Sequence, residues 1–173
     1  MKYSFFGLSM ALFAFFSCSK ESNLSVVEQL DLQKYAGKWY EIARMPSRFE
    51  KNLKCVTATY TIQADGNVEV WNMGIDEKSG EKKDVKGTAK VPDPKEPAKL
   101  KVTFFRPFYG KYWVIDLGKN YEYALVGHPN REYLWILSRE KSMAKEKVDH
   151  LLAFAKEKGF DISTLEFVKQ DCP

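Results

Sequence analysis

Little in this chain is suited to chemistry at a metal or a nucleophile. It has two histidines and three cysteines in 173 residues. His128, beside Pro129 in a turn, and His150 fall in separate segments, and neither has a nucleophile at motif spacing. No His/Cys set has metal-ligand spacing, so neither metal nor other cofactor is expected. Net charge is scarce as well: the formal value is +4, acids are interspersed among the bases, and one of the positive charges is Lys2 of a leader. That balance argues against a nucleic-acid partner. The lysine-rich stretches at 81–90 and 94–101 read as solvated strand edges and turns. The apolar run from Tyr3 to Phe16 is too short to span a bilayer, and behind Met1-Lys2 it has the shape of an export signal. Apolar and aromatic residues, by contrast, make up 45% and 14% of the chain, enough for one sizeable core at single-domain length.

The export signal ends in Phe15-Phe16-Ser17-Cys18, which resembles a bacterial lipobox, the motif whose cysteine becomes the lipidated first residue of the mature protein. Small Ser17 fits that pattern, while Phe15 stands where Leu is usual. On this reading residues 1–17 are a lipoprotein signal peptide, 18–30 are the lipidated Cys18 and a tether, polar from Ser19 to Ser25, and 31–173 are the folded domain. Acyl chains on Cys18 would hold the domain at a bilayer by about 0.8 kcal/mol per buried methylene. Ser19 rather than Asp after the cysteine favours the outer membrane of a Gram-negative cell. An ordinary signal peptide that ends near a cysteine is the plainer alternative. Cys55 and Cys172 then form an even remainder in an exported chain, which invites a disulfide pinning the tail to the wall; the alternative is two free thiols.

The stretch Gly37 to Arg44, GKWYEIAR, begins the β-structure: Trp39, Tyr40 and Ile42 favour strands and Gly37 permits a tight turn into them. Alternation places Trp39, Glu41 and Ala43 on one face and Tyr40, Ile42 and Arg44 on the other. Trp39 is placed to plug one end of a β-closure, and Arg139, at the end of a later aromatic strand, is the natural cation to lie over its indole. Short alternating runs follow at 56–62, 68–73, 83–90, 100–105, 111–117, 121–127 and 132–139, which with the first strand make eight. Eight antiparallel strands in succession favour an all-β, up-and-down barrel with an interior the size of one small ligand. The period of two points Val56, Ala58, Tyr60 and Ile62 inward, then Val68, Val70 and Asn72, then Leu100, Val102 and Phe104, then Tyr112 and Val114, and lastly Trp135 and Leu137. The Cys55, Thr57, Thr59 and Thr61 face looks outward. A single helix outside the barrel is expected after this, with Ser142 as its cap, Val148, Leu151, Leu152 and Ala155 as its apolar stripe, and Gly159 as its stop.

Gly37-x-Trp39, the hundred or so residues of short strands, and the blocks FFRPFYGKYWVI and YLWILSR ending in Arg139 together resemble the lipocalins, over about Asp31 to Gln170. Lys119-Asn120-Tyr121 stands where that family usually has Thr-Asp-Tyr, keeping the Tyr and losing the Asp. The resemblance implies a ligand cavity where composition alone allows a barrel packed solid. Tyr60, Asn72 and Trp135 match positions that line the pocket of an animal member, and Phe104 and Tyr112 join them by alternation. Some members also bridge cysteines at places matching Cys55 and Cys172. The implied function is a membrane-anchored, non-enzymatic carrier of fatty acids, lysophospholipids or similar hydrophobic ligands, for transport, storage or envelope maintenance, acting as a monomer or weak homodimer. Arg44, Arg48 and Arg106 are the cations available to meet an anionic head group, although surface charge is their plainer reading. The competing functions are an isomerase acting on a lipid, which would need a pocket thiol, and an envelope interaction protein with a filled barrel.

Overall fold

Period-two alternation rolls this chain into a single continuous sheet. In the computed structural model, which describes residues 23–47 and 50–172, a short helix α1 (Leu32–Tyr35) precedes eight strands: β1 (Gly37–Arg44), β2 (Leu53–Ile62), β3 (Val68–Asp76), β4 (Lys82–Lys90), β5 (Lys99–Phe105), β6 (Phe108–Leu117), β7 (Tyr123–Gly127) and β8 (Leu134–Ser138). Neighbours in sequence pair antiparallel, and β1 pairs with both β2 and β8, which closes the barrel. The connections β1–β2, β3–β4, β5–β6 and β7–β8 therefore share one end, the mouth, and α1 lies at the other, the floor. Asp31 caps α1 by accepting from the amides of Gln33 and Lys34.

Helix α2 (Lys145–Glu157) packs outside the wall, burying Val148, Leu151 and Ala155 against a cluster that includes Trp113, Ile115 and Leu125. Its start differs from expectation: Ser142 does not cap it, and the residue before its first turn is Ala144, which offers no side-chain hydrogen bond. Its end agrees, with Gly159 just beyond the last turn at φ +87. The tail then adds a two-residue strand, β9 (Glu166–Phe167), on β1, and Cys172 is disulfide-bonded to Cys55 on β2.

Two departures from the sequence pattern have structural causes. A register shift between Glu41 and Ala43 where β1 meets β8 breaks the alternation, so Glu41 and Arg44 come onto the same side and the Arg44 guanidinium donates to the Glu41 carboxyl at 2.6 Å. The folded unit also begins before residue 31. Leu24 and Leu30 are buried, and the amide of Val27 donates to the Val114 carbonyl at 3.0 Å, so this segment is strapped along β6 instead of hanging free. Cys18 and the rest of the expected tether up to residue 22 lie outside the described residues.

Candidate ligand-binding cavity

The floor is sealed by the residues the sequence singles out for it. Trp39 is fully buried, and its indole N–H donates to the Tyr35 carbonyl at 2.8 Å. The Arg139 guanidinium carbon lies 3.8 Å from the centre of the Trp39 ring and the group donates to the carbonyls of Lys34, Tyr35, Ala36, Lys38 and Tyr121. One side chain thus satisfies the end of α1 and locks it to the barrel. Gly37 has φ +93, and a Cβ there would sit 3.4 Å from an Arg139 nitrogen, so glycine answers both the backbone and the packing requirement. Tyr121 serves twice, since its hydroxyl accepts from the Asp31 amide at 2.9 Å, at a corner where the chain lacks the family's usual Asp.

Above the floor the barrel encloses a cavity of about 830 Å3. Tyr60, Asn72, Phe104, Tyr112 and Trp135 all line it, as do Val56, Val70, Leu100, Val102 and Leu137. A barrel packed solid is therefore not the arrangement found. Alternation missed Tyr35, which reaches the same wall from α1: its hydroxyl pairs with that of Tyr112 at 2.7 Å, and Tyr112 pairs with Tyr60 at 2.8 Å. Burial pushes all three phenols up from their ordinary value, so this chain of hydroxyls stays neutral and can turn a proton or a lone pair toward a ligand. The Asn72 amide oxygen is buried in the wall with no hydrogen-bond partner among the described residues, leaving an acceptor open to a ligand donor.

Nearer the mouth is a polar cluster only partly legible in advance. Arg44, 3% exposed, holds Glu41 at 2.6 Å and reaches with its other nitrogen to the Glu50 carbonyl at 2.7 Å and the Glu166 carboxylate at 3.6 Å. The Glu50 carboxylate accepts from the Trp135 indole at 3.2 Å, and Trp135 stacks on Tyr133 with ring centres 5.9 Å apart. Burial, and after it the neighbouring Glu50 carboxyl, push the Glu41 carboxyl up to about 8, with Arg44 pulling it down without prevailing. Glu50 is raised as well, chiefly by burial. Both buried carboxyls beside Arg44 are thus biased toward their protonated forms. Arg44 is thus a buried structural cation and not a rim charge, because the β1 bulge turns it inward. Arg106 is exposed on the β5–β6 hairpin and borders a shallow polar cleft with Asp65 and Glu69, outside the large cavity. Arg48 lies outside the described residues. Cys55 is bridged to Cys172, which removes it as a pocket thiol.

The Lipocalin-like domain family model matches residues 30–170. Outer membrane lipoprotein Blc of Vibrio cholerae is 43% identical over 145 residues, covering 83% of this chain and 85% of that protein, and the Escherichia coli K12 protein of the same name is 42% identical over 92% of each chain. Mouse apolipoprotein D is 36% identical over 86% of this chain and 82% of its own. Among solved structures, insecticyanin from the tobacco hornworm Manduca sexta superposes with a TM-score of 0.68 at 27% identity, covering 85% of this chain and 84% of that one. Apocrustacyanin C1, at 22% identity and a TM-score of 0.66 over 82% and 81% of the chains, shares the fold.

Proposed function

From the premise that this chain belongs to the lipocalin family, we propose that it is a membrane-anchored carrier that takes a fatty acid, a lysophospholipid or a similar single-chain lipid into its barrel. The observation that carries this reading is the cavity: about 830 Å3, apolar along most of its wall, closed at one end and furnished with a few fixed polar groups. That volume falls in the usual range for ligand sites, and apolar burial at about 25 cal/mol per Å2 drives an acyl chain into it. The polar groups divide by depth, with the phenols toward the floor and the Glu41–Arg44–Glu50 cluster toward the mouth, so the lipid head group meets the cluster. Lipidation of Cys18 would place the carrier in the cell envelope, in keeping with the outer-membrane lipoproteins it is similar to. Binding without turnover is the simpler activity, since the isomerase alternative calls for a pocket thiol and Cys55 is bridged.

Native mass spectrometry of delipidated protein incubated with oleate or a lysophospholipid tests this directly. A one-to-one adduct is expected, and Trp135→Ala should weaken it by about tenfold while the fold survives, because it removes both aromatic contact area and the hydrogen bond that fixes Glu50. Absence of an adduct with either lipid would overturn the proposal.

A further inference from the structure

The mouth carries a feature that ligand binding inside the barrel does not use. At the tip of the β5–β6 hairpin, Phe105 and Phe108 face each other across Arg106-Pro107 and are 68% and 77% exposed; Tyr109 beside them is also exposed. All three rings border the cavity opening. Large apolar side chains left this open in a soluble domain mark a contact surface. Three to four residues from the tip along β5 and β6, Lys101 and Lys111 are direct cross-strand partners, and Lys90 on β4 is the partner of Lys101 on its other side; all are exposed, with the Lys90 ammonium 4.9 Å from the centre of the Tyr109 ring and the Lys111 ammonium 5.7 Å from that of Trp113. None of the three is in an ion pair among the described residues, although like charges directly opposite one another on a sheet repel. Aromatic rings ahead of an unneutralised cationic row are complementary to a surface with anionic head groups outside and acyl chains beneath.

The start of the folded chain supplies an independent bearing. Asn23 accepts a hydrogen bond from Arg131 in the β7–β8 connection at 2.9 Å, so the chain enters the fold at the mouth before running along β6 to the floor. Cys18 is five residues earlier, a span of at most about 18 Å for a fully extended chain.

We propose that the Phe105/Phe108/Tyr109 tip and the Lys90–Lys101–Lys111 row dock on the anionic leaflet that holds the protein's own lipid anchor, so that the barrel opens onto that leaflet and exchanges cargo with it directly. This rests on the anchored-carrier reading above. The test uses the processed, lipidated protein in phosphatidylcholine vesicles with and without phosphatidylglycerol, containing a lipid brominated near the head-group end of its acyl chains. A Phe108→Trp reporter, read against the wild-type tryptophan background, should be quenched. A Phe105→Ser/Phe108→Ser variant with unchanged Tm should take up a fluorescent fatty acid from the vesicle leaflet about fivefold or more slowly, yet load the same probe from solution with unchanged Kd. Lys90→Gln/Lys101→Gln/Lys111→Gln should abolish the acceleration given by phosphatidylglycerol. An unquenched reporter, or equal uptake from vesicles by the wild type and the serine variant, overturns the docking. Failure of the wild type to load probe from solution overturns the ligand reading instead, while the quenching still decides the docking.

Discussion

Glu41 sets the electrostatics of the cavity wall, because it is a buried acid in direct contact with the Arg44 guanidinium. The folded carboxyl keeps its proton up to about 8, whereas an unfolded chain releases it near the ordinary 4.5. Over that interval the folded state binds more protons, so this group's contribution to stability is whole below the lower value and is lost as pH rises through the upper one. The Tm of the wild type relative to Glu41→Gln is therefore expected to fall between about pH 5 and about pH 8.5; a difference that stays flat would show that the Glu41 carboxyl is not raised there. Arg139 acts at the opposite end. Arg139→Ala uncovers Trp39 and leaves carbonyls of α1 without their donor, for a loss of about 3 kcal/mol in urea unfolding. A loss below about 1 kcal/mol would mean that packing alone closes the floor.

At the level of elements, the tail is held twice over. The amide of Cys55 donates to the Lys169 carbonyl at 2.7 Å, and the Gln170 side chain bridges the carbonyls of Glu41 and Val56, all beside the Cys55–Cys172 bond. Closing a loop with a sequence separation of 117 contributes about 5 kcal/mol in the chain-entropy model. Cys55→Ser/Cys172→Ser should lose roughly that in equilibrium unfolding and exchange its β9 amides faster, while lipid affinity stays within about twofold. If affinity collapses instead, the tail is shaping the cavity. Strands were the most legible elements, since Val68-x-Val70-x-Asn72 or Leu100-x-Val102-x-Phe104 assigns one face by itself. The β1 bulge was not, because GKWYEIAR alternates acceptably with or without the slip, and only pairing with β8 decides where Arg44 goes. Tyr35 escaped for a similar reason: it enters the wall from a one-turn helix, which carries no period to read. The strap at Leu24 was hidden by its polar flanks, although Leu24, Val26 and Val27 are the apolar residues that hold it down.

Taken as a whole molecule, the protein is organised by its two unlike ends, a closed floor and an open mouth. An anchor near the mouth would keep the protein with the membrane whatever its cargo, so Cys18→Ser should move it to the soluble fraction of cells without altering its unfolding curve. Continued sedimentation with lipid would mean that something other than acylation holds it there. A blind tube also has kinetic consequences. Whatever slides in must back out along the same path, so each additional carbon has to be drawn past the whole wall before departure. Dwell times would then lengthen by roughly fourfold per carbon until the aliphatic tail meets the tyrosines, where the progression stops and the barrel becomes a gauge of chain length.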